Sequence, residues 1–482
     1  MIFIGAALLM FEPFIAVIGP VLVVGTAIIG IRMLSYWRSF VFHWRRYRKR
    51  ETVSTADLLD MNTPFVKIQI TTRGSTGSTE VILRGIRNIM ELAGERPDFY
   101  RRILSVEVVT ESDTQAQLLE RAFDGAPVAV HALRLPADYR SPRGTELKAR
   151  ALHYAVERRR AGWNHKPGRT FIAHFDEESV MVPAELRKLV AVLTDTDKKI
   201  LEGPIHYPLD YRDASAICRA MEANRPIGCF ECRHVMERGF PLHLHGSNLV
   251  IDEEFENELG WDIGLLDGQP LIAEDYVFGV KAFLHGGSSA FGWHGCVILE
   301  QPPFSFRSAL KQRHRWVFGV LQGIAITRRD PAFQQLPLAM RRSLVWGTRL
   351  RIATFALGSV VGTLSLLILP LLLCTEVTGL VRGGSSPLGP VLTASMAVIG
   401  SMWLGSVVIG AWYNVADAGL TRAERSAEIC RAVLLAPIAG VSESTAALRA
   451  VVEWIAGRRK VSWHPTPKTK AAEAAINRRS TT

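Results

Sequence analysis

A chain of 482 residues, 48 % of them hydrophobic, is long enough for two or three domains. The formal charge of +11 is gathered beside apolar stretches and is not spread over one face of the polar middle. That excludes a nucleic-acid-binding protein and points to anionic lipid. Six cysteines in this length make no disulfide framework, and a cytosolic domain would keep them reduced.

The first 33 residues carry no charged side chain apart from Glu12 and Arg32. No small-residue cleavage site marks a signal peptide. The pattern predicts a short piece at the outer interface, then one spanning helix over 14–36 that Pro20 kinks, with a two-helix hairpin as the alternative. Arg45, Arg46, Arg48, Lys49 and Arg50 follow it, and Arg458, Arg459 and Lys460 follow the last apolar stretch. Short basic flanks mark the cytoplasmic side, so the middle of the chain and its C-terminus are expected in the cytosol.

After a polar linker over 51–63, the alternating Val66–Ile70 reads as a strand that opens into the loop Thr71-Thr72-Arg73-Gly74-Ser75. Further strands are predicted at 106–109, 127–133 and 171–175, with helices over 79–93, 114–123 and 145–160 between them. Strands alternating with helices define a parallel α/β sheet, and such sheets bind ligands at the carboxyl ends of their strands. Two strands end in acid, at Glu111–Asp113 and Asp176-Glu177-Glu178. In an extended segment Asp176 and Glu178 point the same way and could share a hard divalent cation, Mg²⁺ or Mn²⁺, carrying a diphosphate.

Cys229-Phe230-Glu231-Cys232 with His234 is a zinc half-site that His243 and His245 could complete; buried thiols are the plainer reading. Farther on, Glu274-Asp275 offers a carboxylate to take a proton from an alcohol. In-line attack assisted from that side inverts an anomeric centre, and no opposed second carboxylate for a double displacement is identified. Gln312-Arg313-His314-Arg315-Trp316 lies in a predicted helix, 308–319. Positions 312, 315 and 316 share a face, with Arg315 able to neutralise diphosphate oxygens and Trp316 able to stack on a sugar or acceptor ring. The plain alternative is a basic amphipathic helix lying on the membrane.

Beyond Trp316, residues 337–350 read as an interfacial helix, and 351–375 and 390–414 as spans joined by the loop 382–390. Residues 428–456 contain Pro437, Glu443 and Glu453 and are read as a re-entrant or interfacial hairpin. The tail from 469 is polar and is predicted disordered.

The order Asp176-Glu177-Glu178, Ala273-Glu274-Asp275, Gln312-x-x-Arg315-Trp316 resembles membrane-bound family 2 glycosyltransferases, a group that includes cellulose, chitin and hyaluronan synthases. His174–Glu178, His245-Gly246-Ser247-Asn248, Ile272–Tyr276 and Glu300-Gln301-Pro302-Pro303-Phe304-Ser305 look most like its Egghead-type branch, β-1,4-mannosyltransferase-like proteins of glycolipid synthesis. The resemblance implies a GT-A fold, Rossmann-like with a mainly parallel sheet, over 60–330. It would be flanked by an N-terminal membrane segment (1–50), interfacial and membrane helices (331–460) and a cytosolic tail (461–482). It implies that Thr71, Thr72 and Arg73 line the nucleotide pocket, that Glu111 or else Asp113 contacts the nucleoside, and that Lys148 lies near the phosphates. Asp176 and Glu178 would hold the metal, Asp176 also serving the donor. Asp275 would be the base beside Glu274, with Gly246, Ser247 and Asn248 on the acceptor side. Gln312, Arg315 and Trp316 would form the acceptor and diphosphate platform. Trp463-His464-Pro465-Thr466-Pro467-Lys468 looks like the gating segment of processive synthases.

The function expected is inverting transfer of a hexose from a nucleotide-sugar, of GDP-mannose or UDP-glucose type, to a lipid-linked or glycan acceptor at a plasma membrane of bacterial type. The alternative is a processive synthase that elongates and exports a β-polysaccharide.

Overall fold

The computed structural model describes residues 25–42, 53–75, 77–238, 244–382, 388–460 and 466–479. Glu12-Pro13, Pro20, the basic cluster Arg45–Arg50, His243, Trp463–Pro465 and most of the loop 382–390 lie outside the described residues. The chain opens with helix α1 (25–42), α2 (Thr55–Leu59), β1 (Phe65–Thr72), α3 (Ser78–Glu95), α4 (Pro97–Ile103), β2 (Leu104–Thr110), α5 (Asp113–Ala122) and β3 (Ala129–Arg134). It continues with α6 (Leu147–Arg160), β4 (Thr170–Phe175), α7 (Pro183–Asp195), β5 (Ile200–Glu202), β6 (Ile205–His206), α8 (Ala216–Glu222), α9 (Arg225–Arg238), β7 (Leu249–Asp252) and α10 (Glu253–Leu259). Then come β8 (Leu265–Leu266), β9 (Gln269–Pro270), α11 (Glu274–Gly286), β10 (Phe291–Trp293), β11 (Ile298–Leu299), α12 (Phe306–Thr327) and α13 (Pro331–Gln335). Helices α14 (Leu338–Arg382), α15 (Leu388–Ala416), α16 (Arg422–Ile455) and α17 (Lys470–Arg479) complete it.

The main sheet runs β10-β5-β7-β4-β1-β2-β3, parallel except where β7 lies antiparallel between β4 and β5. Its register matters for function. Ile70 pairs with Phe175 and Thr72 with Thr110, so β1, β2 and β4 finish together. The polar residues after each strand are thereby delivered to one edge, as the alternation of strands and helices predicts.

One sheet face buries Val66, Ile68 and Ile70 against α3, α4 and α7. The other carries Lys67 and Gln69, which are also buried. The alternation in β1 therefore does not mark a solvent face. Lys67 Nζ meets Glu253 at 2.7 Å, Arg159 reaches Gln69 and Glu256, and His174 meets Glu256 at 2.8 Å. Buried charges persist only when paired in this way.

Two segments of the linker and tail are more ordered than their composition suggests. Ser54 and Asp57 form a reciprocal cap for α2 inside the polar linker. The tail forms α17, whose Glu473 accepts hydrogen bonds from Ser308 (2.9 Å) and Ser305 at the start of α12.

The interfacial helix and first span expected over 337–375 are one continuous α14. Residues 428–456 form no hairpin: α16 runs unbroken through Pro437. Among the described residues two helices, Thr393–Ala416 and Arg422–Ile455, are long and apolar enough to cross a membrane. The outward faces of α1, α15 and α16 expose Ile31, Leu34, Val398, Trp412, Leu434, Ile438 and Ile455. Exposed apolar side chains on long helices of this kind suit a membrane or another apolar surface.

Candidate active site

A cavity of about 550 Å³ runs from the carboxyl ends of β1, β2 and β4 to the helical bundle. Thr71, Thr72, Arg73 and Glu111 line its sheet end, Lys148, Asp176 and Glu178 its middle. Gly246, Ser247, Glu274, Asp275, Gln312, Arg315 and Trp316 line it from the opposite side. Residues far apart in sequence thus share one space.

Asp113 and Asn248 are placed elsewhere. Asp113 opens α5 on the surface beside Arg134, whereas Glu111 pairs with Arg150 at 2.9 Å and Arg73 at 3.7 Å. The register decides between them: the chain turns into α5 immediately after Ser112 and carries Asp113 outward. Asn248 is buried, and its amide donates to the carbonyls of Pro204 and Cys296, both at 2.9 Å. It supports the loop from behind.

Asp176-Glu177-Glu178 is a turn, with Ser179 N bonded to Asp176 O at 3.1 Å, and not the extended segment expected. β4 ends at Phe175, and Ser179 and Ser247 hold the Asp176 amide. Lys148 Nζ donates to Asp176 at 2.6 Å and to the Gly246 carbonyl at 2.8 Å, tying the two halves together. Leu147, the residue before it, has φ 59°. A leucine adopts that conformation at a cost that sites tend to retain where a side chain must be aimed.

Asp275 lies in the first turn of α11. Its Oδ1 accepts from the Tyr276 amide at 2.8 Å. A Cβ on Gly246 would stand 3.5 Å from its Oδ2 and 3.4 Å from Lys148 Nζ, ordinary contact distances, so this loop packs directly against both side chains. Burial, then the charge of Glu274, pushes Asp275 up to about 7; burial also raises Glu274. Burial acts on Asp176 too, but Lys148 and then Lys468 hold it below the ordinary range. Like charges thus leave neighbouring carboxylates with different proton affinities.

α12 divides by face. Arg315 lies in the field of Glu274, Asp176 and Glu178. Arg313 and His314 turn to the bundle, Arg313 to Glu222 (2.6 Å) and Glu443 (2.8 Å), His314 to Glu453 (3.0 Å). The Trp316 indole has the guanidiniums of Arg225 and Arg313 over it at 4.2 and 4.5 Å.

Several cavity residues had no role assigned from sequence. Glu300 accepts from Ser179 at 3.1 Å and is pushed up to about 8 by burial and by Asp176 and Glu178. Lys468, brought in by the tail, pairs with Glu178 and lies 3.9 Å from Glu177. Gln301 donates to the Lys468 carbonyl at 3.0 Å. Glu300 and Lys468 belong to the stretches Glu300–Ser305 and Trp463–Lys468 that carry the resemblance; no motif surrounds Arg225.

The carboxylates of Asp176 and Glu178 are hard donors, and both hold a lysine ammonium here. Among the described residues no three His, Cys, Asp or Glu side chains converge as ligands. One or two carboxylates plus substrate phosphates is, however, how Mg²⁺ is usually held, so the residues fit such an ion. The zinc half-site does not assemble among the described residues: Cys229 and Cys232 are buried, and Cys232 meets His245 at 3.6 Å.

Residues 171–381 match the family model for glycosyl transferase family group 2. The matched segment is under half of the chain and takes in β4 through most of α14, within an α/β fold whose sheet is mainly parallel. Among named proteins it is similar to the beta-1,4-mannosyltransferase egh of Drosophila melanogaster, 23 % identical over 262 residues, 54 % of this chain and 52 % of that one. It is also similar to the beta-1,4-mannosyltransferase bre-3 of Caenorhabditis elegans, 25 % identical over 280 residues, 57 % of this chain and 56 % of that one. The match thus spans about half the length of these curated relatives. Solved structures similar to it include the mannosyltransferase PcManGT from Pyrobaculum calidifontis in complex with GDP-Man and Mn²⁺. That likeness has 16 % identity and a TM-score of 0.46, covering 90 % of this chain and 99 % of that one. TarS 1–349 of S. aureus in complex with UDP is similar at 10 % identity and a TM-score of 0.37, covering 83 % and 95 %.

Proposed function

We propose that the protein is an inverting hexosyltransferase that moves a sugar from a nucleotide-sugar to a lipid-linked acceptor at the cytosolic face of a membrane. The observation that carries this is the meeting of Asp275 with Asp176, Lys148 and Arg315 in one cavity that continues into the helical bundle. The nucleoside lies over Thr71, Thr72, Arg73 and Glu111, and the diphosphate near Lys148 and Arg315. Asp176 and Glu178 would hold Mg²⁺ or Mn²⁺, which when bound neutralises diphosphate charge. Asp275 Oδ2 takes the proton of the acceptor hydroxyl as that oxygen attacks the anomeric carbon. Arg315 then stabilises the departing diphosphate electrostatically. A mannosyl donor is the first to test, given the names of the relatives.

In membranes supplied with labelled nucleotide-sugars, Asp275→Asn should lower kcat about 10²–10⁴-fold while sparing donor binding, the range for loss of a general base. Asp176→Ala and EDTA should instead weaken donor binding. Full transfer by the Asn variant would defeat the assignment of the base.

A further inference from the structure

The cavity does not end at Asp275. Beyond it, between α1 and α14, its walls are Arg32, Tyr36, Arg351 and Thr354, then Ile29, Phe355, Gly358, Ile399 and Trp403. Arg32 belongs to α1, whose other face exposes Ile31 and Leu34. Ionisable residues are rare in membrane-embedded helices and mark substrate pathways when they face a cavity. Arg32 donates to the Tyr36 hydroxyl at 2.7 Å, to Thr354 Oγ1 and to the Arg351 carbonyl at 3.4 Å, all neutral groups. Arg351, the second guanidinium lining this limb, lies 3.5 Å from Glu231 and donates to Cys232 Sγ at 3.4 Å.

Resting on the reading of a lipid-linked acceptor, we infer that this limb binds a phosphate joining the acceptor's lipid to its reacting end. Arginine forks match phosphate oxygens, and the Tyr36 hydroxyl, which accepts from Arg32, has its own hydrogen to offer. Past the cations the wall is apolar, as an isoprenoid or acyl tail requires. A neutral glycolipid would leave Arg32 with uncharged partners only. The chemistry therefore selects a lipid phosphate over a lipid alcohol.

The test uses the full chain in detergent and native mass spectrometry with farnesyl phosphate, farnesol and phosphatidylglycerol as probes. Farnesyl phosphate should bind at least tenfold more tightly than farnesol. Arg32→Gln and Arg351→Gln should each lose most of that preference, and Arg32→Lys should keep it. Equal binding of phosphate and alcohol by the unaltered chain overturns the proposal whether or not the variants fold. So does displacement of farnesyl phosphate by an equal concentration of phosphatidylglycerol, which would make this a structural-lipid site. Nucleotide-sugar binding, measured separately, tests the transferase reading; its absence would defeat that reading and not the discrimination of phosphate from alcohol.

Discussion

Asp275 is defined by what surrounds it. Burial and Glu274 both favour its protonated form, and the Tyr276 amide opposes them only in part. A base must be deprotonated to work, so a carboxyl raised to about 7 is inactive in acid and gains function as pH rises through that value. The expected kcat/KM profile climbs tenfold per pH unit below about 6 and levels off above about 8. A profile flat from pH 5 to 8, measured at fixed metal concentration, would show that Asp275 titrates as an ordinary aspartate. At this scale the sequence was informative about residue type and less so about direction. Glu274-Asp275, Asp176 and Arg315 could be read because their chemistry is unusual beside apolar neighbours. Asp113 and Asn248 could not be sorted from Glu111 and Gly246, because that depends on where a strand stops and which way the turn leaves it.

Among the elements, α12 joins the site to the bundle. Its 22 residues put Arg315 into the cavity and the fully buried Arg313 between two carboxylates, buried Glu222 of α8 and partly buried Glu443 of α16. Arg313→Met takes that cation from Glu443 and leaves Glu222 with Arg225 at 3.3 Å. Removing one partner of a buried ion pair costs about 3–5 kcal/mol, and denaturant unfolding of the variant should register it. A loss under about 1 kcal/mol would place Arg313 in contact with water. Nothing in the run Gln312–Trp316 said which arginine faced the site until helical spacing was applied, and spacing alone cannot name Glu443. In sequence Pro437 and two glutamates predict a break, whereas α16 is continuous from Arg422 to Ile455. The helix tolerates them because Glu443 and Glu453 have partners on α12. The tail behaves similarly: α17 is ordered by Glu473 against Ser305 and Ser308, contacts far away in sequence.

For the whole molecule, the parallel order of β3-β2-β1-β4 follows from alternating strands and helices, and the antiparallel β7 does not. The joint between sheet domain and bundle is tight. Asn414 of α15 donates to the Glu222 carbonyl and accepts from the Tyr207 amide, both at 3.0 Å. One turn away, a Cβ on Gly410 would collide with the Ala223 carbonyl. Gly410→Ala should therefore destabilise the protein by about 1–3 kcal/mol, despite the better helix former. A thermal midpoint at or above that of the unaltered chain would mean that the two parts do not press together there.

The two-faced α12 has a mechanical consequence. Its far side is tied to α16 through Arg313–Glu443 and His314–Glu453, so a change in the inclination of α16 displaces Arg315. Membrane helices answer a thicker or thinner hydrocarbon layer by tilting. On the proposed transferase reading, with α16 in a bilayer, the transfer rate is expected to change with the acyl-chain length of the surrounding lipid, a variable set outside the protein.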